Sequence, residues 1–190
     1  MKNRIVIFVV FVCCLWTMPG IVRAQLSVHQ FDQLMKKIDD VLWYEKVGDI
    51  AHVDKVILCG PPRWKESNPT SMSAGNELKF RAYIFIPKSV KENKKYPLIV
   101  FPHSGVHADM DTYYAHIIRE LIAQEYIVVA ADYRGSTGYG AGTYNNIDYG
   151  GLENEDVYIS RNYMVDNFDI VDSSLSLIHI SEPTRPLYIS

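Results

Sequence analysis

Two short runs constrain this chain more than anything else in it. Residues 98–101 (LIVF) are wholly apolar, and residues 126–131 (YIVVAA) hold no charged or amide side chain. A strand that is apolar on both faces must be covered on both, which is the situation inside a parallel sheet flanked by helices; a sheet wetted on one side would alternate instead. The segment between the runs supplies the crossover, because Tyr114, Ile117, Ile118, Leu121 and Ile122 share one face of a helix predicted over 109–125. Such strand, helix, strand units join parallel strands. The fold class expected is therefore α/β.

The flanking segments extend this sheet. Residues 52–59 and 78–86 are strand-like and read as an antiparallel edge, separated by a Pro-, Ser-, Asn- and Gly-rich loop over 60–76. Upstream, Phe31, Leu34, Met35, Ile38, Val41 and Leu42 recur at helical spacing, predicting an amphipathic helix over 27–43, capped by Ser27 and packed on the outside of the domain. KENKK (91–95) reads as a solvated turn between strands. Residues 135–151 form a Gly-, Tyr- and Asn-rich loop, 153–168 a helix with acids in its first turn, and DIVDSS ends where another strand should begin.

Both ends carry signals of their own. Lys2 and Arg4, an apolar stretch over 5–16 and Val22-Arg23-Ala24 before Gln25 match an export signal, so residues 1–24 are expected to be removed and the protein to be secreted or periplasmic. The apolar stretch is too short to span a bilayer, and no stable membrane association is expected after cleavage. Cys13 and Cys14 lie within the signal, leaving Cys59 alone in the mature chain and excluding an internal disulfide. At the other end, LSLIHISEPTR from Leu175 onward resembles a translated sequencing adapter, and residues 175–190 are expected to be an artefactual tail. The division that follows is 25–76 for the N-terminal helix and edge strand, and 77–174 for a partial α/β domain. With 19 Lys and Arg against 22 Asp and Glu, and no dense basic run, nucleic acid is not an expected partner.

The chemistry concentrates where the first apolar strand ends, in PHSGVHADMD (102–111). A metal would need His103, His107, Asp109 and Asp111 as ligands, but Gly105 and the strand exit oppose a helix carrying both histidines, so no metal is expected and the aspartates read as surface or capping residues. A phosphate would need the glycines at 135, 138, 140 and 142 to open directly into a helix, and residues 143–149 intervene. A third use fits better. A strand entering His-Ser-Gly places small residues where backbone N–H groups can face a cleft at the C-terminal end of the sheet, as an acyl-transfer enzyme needs to hold a developing oxyanion.

VFPHSGVH, followed by DYRGSTGYG (132–140), resembles the catalytic domain of the prolyl oligopeptidase group of α/β-hydrolase serine peptidases, in particular its secreted dipeptidyl- and acylaminoacyl-peptidase-like members. The resemblance covers residues 78–174. It implies that His103-Ser104-Gly105 is the oxyanion loop, with Gly105 as main N–H donor and Ser104 standing where the family has glycine. It also implies that Tyr133, Arg134, Gly135, Ser136, Gly138 and Tyr139 support the site wall, and that Asp156 is a helix acid of the family. Arg134, ending a buried strand, needs a counter-charge, and Asp156 is expected to provide it. The nucleophile elbow Gly-x-Ser-x-Gly, the acid and the histidine should come after DIVDSS, and none is present; SMSAG (71–75) precedes a strand and reads as a turn. The expectation is a fragment of a serine hydrolase acting on peptides or, alternatively, esters, without cofactor and inactive by itself, or else a non-catalytic binding module of the same fold.

Overall fold

A computed structural model describes residues 27–61 and 78–178. The expected export signal, most of the loop over 60–76 including SMSAG, and residues 179–190 of the tail lie outside the described residues.

The first helix, α1 (Val28–Val47), begins where Ser27 predicts and runs on past Trp43. Ser27 Oγ accepts from the Gln30 N–H at 3.3 Å while Gln30 Oε1 accepts from the Ser27 N–H at 2.9 Å, a reciprocal capping box. Five strands follow: β1 (Ala51–Cys59), β2 (Lys79–Pro87), β3 (Tyr96–Val100), β4 (Ile127–Asp132) and β5 (Val171–Ile178), in the order β1-β2-β4-β3-β5. β1 pairs antiparallel with β2 and β2 antiparallel with β4, whereas β3 pairs parallel with both β4 and β5. The antiparallel edge and the parallel pair expected from the two apolar runs are thus both present. α2 (Ala115–Ala123) makes the β3-to-β4 crossover, the single turn α3 (Ala141–Tyr144) lies after β4, and α4 (Leu152–Asn167) leads to β5.

Alternation along the strands builds two cores. Tyr83, Phe85, Ile99, Val128 and Ala130 face α1 and α2 with Trp43, Ile118 and Ile122; Ile84, Leu98, Val100, Ile127, Val129 and Ala131 face α4 with Met164. This is why residues 98–101 and 126–131 have no polar face to show.

Several details depart from the expectations. The crossover helix does not begin at Asp109: a 3-10 turn (Thr112–Tyr114) precedes α2, with Asp111 Oδ1 accepting from the Tyr113 N–H at 3.0 Å and Asp109 held elsewhere. The loop over 135–151 contains α3. Residues 175–178, assigned to the tail, continue the backbone of β5 beside β3. The largest difference is at α1. Phe31, Leu34, Met35, Ile38 and Val41 are exposed, and the helix buries Lys36, Trp43 and Val47 instead. Positions 36, 43 and 47 recur at one helical face just as the apolar set does, and the inner face won because Trp43 packs on Phe85 at 4.9 Å while Lys36 reaches two carboxylates.

Candidate active site

The loops leaving the C-terminal ends of β3 and β4 are sewn together. The Thr137 N–H donates to Ala108 O at 2.9 Å, His107 Nδ1 donates to Gly135 O at 2.9 Å, and Tyr133 Oη donates to Gly105 O at 2.9 Å and to His103 O at 3.3 Å. The His103 ring stacks on Tyr133 at 4.3 Å, and the His107 ring on Tyr144 at 3.8 Å. Thr137 Oγ1 closes the seam by donating to Asp109 at 2.8 Å.

Ser104 and Gly105, expected to form the oxyanion loop, lie in this seam. Gly105 has φ +81°, a conformation that disfavours any side chain, whereas Ser104 has no positive φ. A serine fits at position 104 because the left-handed residue is its neighbour, and Ser104 Oγ meets Tyr114 Oη at 3.1 Å. Gly105 is exposed, and its N–H has no acceptor among the described residues, so it is available to a ligand.

Beneath the loop, Ser136 Oγ donates to Tyr133 O at 2.6 Å, and its remaining capacity is as an acceptor. His103 Nε2, 2.8 Å from Ser136 Oγ, therefore carries the proton and donates. Burial holds the His103 imidazole below its ordinary range, and the charge of Asp132 offsets this only partly. As pH falls through the ordinary imidazole range the unfolded chain takes up a proton that folded His103 refuses, so this contribution to stability is whole above that range and is lost towards the depressed folded value. His103→Gln, whose amide can still donate to Ser136, should lose less stability than the native chain between about pH 7.5 and about pH 5.5 in denaturant melts. Equal losses would contradict this. Tyr133→Phe, which removes the brace on Gly105 O, should cost about 1 kcal/mol and speed hydrogen exchange in the 103–108 loop more than in β4.

Two buried ion clusters anchor the seam. Arg134 Nε and Nη2 donate to the two oxygens of Asp156 at 2.8 and 2.7 Å, and the Arg134 N–H adds a third bond at 3.0 Å. Both side chains are buried. Burial pushes the Asp156 carboxyl up from the usual range against the pull of Arg134. Gly60 packs on this pair so closely that a Cβ there would collide with both groups. Gly135, at φ +94°, is equally constrained: a Cβ would lie 2.7 Å from Ile147 and 3.0 Å from Val106 O.

The second cluster was not foreseen. Lys36 Nζ reaches in from α1 to Asp109 at 2.8 Å, Asp132 at 2.9 Å and Met110 O at 2.7 Å, using all three of its donors. Burial alone would lower its pKa, but the two carboxylates outweigh burial and raise it. Asp132 also accepts from the Met110 N–H at 2.6 Å and from Tyr139 Oη. Asp132 was legible in principle as an acid closing a buried strand. Lys36 carried no such local signal, because the apolar stripe of α1 lies on its other face.

His103, His107, Asp109 and Asp111 are thus each committed to the loops, and among the described residues no group of three or more His, Cys, Asp or Glu is placed to hold a metal.

Comparison with known proteins decides which architecture this is. The chain is 31% identical over 103 residues to dipeptidyl-peptidase 5 of Aspergillus oryzae, covering 52% of this chain and 14% of that protein. It is 32% identical over 120 residues to dipeptidyl-peptidase 5 of Aspergillus fumigatus, covering 59% and 17%. The matched segment is similar to part of these dipeptidyl-peptidases. A puromycin-hydrolyzing peptidase of Mycobacterium tuberculosis shares the fold at TM-score 0.54 and 22% identity, over 67% of this chain and 18% of that one. An acylaminoacyl peptidase does so at TM-score 0.55 and 19% identity, over 68% and 19%. No family model matches the chain. The chain spans less than a fifth of the length of each of these curated relatives. The α/β class expected from the two apolar strands, and the α/β-hydrolase form that the resemblance implied, are the fold observed.

Proposed function

We propose that the protein from which this chain derives is a secreted serine peptidase of the prolyl oligopeptidase type, and that this chain contributes half of its oxyanion hole. The observation that carries the reading is the Gly105 loop: a left-handed glycine with an uncommitted N–H, at the C-terminal end of a parallel strand, held from behind by Tyr133, His103 and Ser136. In that reading a serine hydroxyl attacks the carbonyl carbon of the scissile bond, its proton passes to a histidine, and the carbonyl oxygen takes up the negative charge that the Gly105 N–H stabilises. Collapse expels the amine with that proton and leaves an acyl-enzyme for water to cleave. The attacking serine, its histidine and its acid would come from sequence after Ser174.

Supporting the reading are the match to dipeptidyl-peptidases over half the chain and the order of the two loop motifs. The test is to recover the gene downstream of the codon for Ser174 and express its product. A Gly-x-Ser-x-Gly followed by Asp and His, with hydrolysis of dipeptidyl amides that is lost when that serine becomes alanine, is the expected result. Faster turnover of simple esters than of amides would move the protein to the carboxylesterases, and absence of the elbow would make it a binding module. The product recovered from culture medium should begin near Gln25. The 190-residue chain alone should not turn over an activated ester.

A further inference from the structure

A polar cleft opens on the same end of the sheet. It has a volume of about 400 Å³ and lies between α1, the β1–β2 edge and the loop after β4, lined among others by Gln33, Lys37, Asp40, Lys55, Arg81 and Tyr139. Arg81 pairs across the sheet with Asp132, the last residue of β4, which sets it at the end from which the Gly105 loop also departs.

The charges around this cleft do not balance. Lys36 on its floor is saturated by Asp109, Asp132 and Met110 O. Asp40 is met by two lysines, Lys55 at 2.5 Å and Lys37 at 3.5 Å. Lys55 Nζ also reaches Tyr83 Oη at 3.1 Å, which leaves it a third donor. Arg81 lies over the Tyr139 ring at 4.9 Å, and its guanidinium has no hydrogen-bond acceptor among the described residues. Asp132, its nearest acid across the sheet, already serves Lys36, the Met110 N–H and Tyr139. Four cations, Lys36, Lys37, Lys55 and Arg81, meet three carboxylates, Asp40, Asp109 and Asp132, leaving one positive charge. Burial lowers the Lys55 pKa and the charge of Lys36 lowers it further, against the pull of Asp40 and Asp132.

We propose that this cleft is a carboxylate-binding subsite, in which the Arg81 fork holds both oxygens of a peptide carboxylate and Lys55 supports one of them. A guanidinium pre-oriented on an aromatic face loses little freedom on forming two parallel bonds to a carboxylate. The single surplus charge and the neighbouring Asp40 match a monoanion rather than a phosphate dianion. That the carrier is a peptide rests on the peptidase reading; that a carboxylate is recognised does not.

The test is calorimetric or NMR titration of the full chain with four probes: an acetylated alanine tetrapeptide with free C-terminus, its amide, an amidated tetrapeptide with one glutamate, and inorganic phosphate. The neutral amide should bind at least about tenfold more weakly than whichever carboxylate peptide is preferred, and that preference tells a terminal from a side-chain carboxylate. Arg81→Gln should lose about tenfold in affinity for it, and Arg81→Lys, which keeps the charge without the fork, should recover only part. Lys37→Gln, at a side chain 81% exposed and outside any core, should weaken binding about twofold without disturbing the fold. Indifference to amidation, preference for phosphate, no binding by any probe, or unchanged affinity in both the Arg81→Gln and Lys37→Gln chains would each overturn the proposal. None of these outcomes touches the acyl-transfer reading, which stands or falls on the recovered gene product.

Discussion

Asp156→Asn should destabilise the fold by about 3–5 kcal/mol, because it leaves a fully buried guanidinium with no counter-charge. Arg134 is 1% exposed and Asp156 wholly enclosed, so water cannot stand in for the lost partner. The expected cost is a large part of the stability of an ordinary domain. Arg134→Lys should cost less, since the charge survives and one of the two parallel bonds is lost. Gly60→Ala should behave like Asp156→Asn, for the new methyl group would force the pair apart. Urea melts of the three variants check this. In the peptidase proposed above, activity per folded molecule should be unchanged by Asp156→Asn; unaltered melting, or a loss of kcat in fully folded protein, would show that the pair does something other than tie the glycine loop to α4.

Lys36→Met should be comparably damaging, at about 3–5 kcal/mol, for the mirror-image reason: two carboxylates, one of them completely buried, would face each other across a methyl group. A second change identifies the cause. Adding Asp132→Asn to Lys36→Met should restore part of the loss, because the remaining site is then less charged, although Asp132 has further bonds to Met110 and Tyr139. If the double variant is no more stable than the single one, the lysine acts by packing its stem under Gly138, whose Cβ position lies 2.8 Å from Lys36 Cβ, and charge pairing is secondary. Chemical denaturation of the two chains under identical buffer decides between these.

How far the sequence reveals such features depends on whether their cause is local. The parallel pair was legible because two-sided apolarity can be satisfied in few ways, and α1 announced its start through Ser27. Arg134 was legible because an arginine just past a buried strand demands an acid, and the resemblance supplied Asp156 as that acid. The inner face of α1 was not. Hydrophobic spacing favours the stripe through Phe31 and Ile38, and only the distant carboxylates Asp109 and Asp132 explain why Lys36 faces inward. The start of α2 was misplaced for a related reason: Asp109 reads as a helix-starting acid until Lys36 and Thr137 claim it. At Ser104 the backbone mattered more than the residue type, since the left-handed angle falls one position later, on Gly105.

The reach of Lys36 bears on the order in which the protein is made. Its contact with Met110 spans 74 positions, and Asp132 leaves the ribosome later still. Closing a loop of that size is entropically slow compared with forming α1 or the β1–β2 hairpin. During synthesis, which proceeds from the N-terminus at about 5–20 residues per second, α1 waits for seconds with an unpaired lysine on one side and Phe31, Leu34 and Ile38 exposed on the other. The loops of the candidate site can therefore set only after β4 has emerged and given that lysine its second acid.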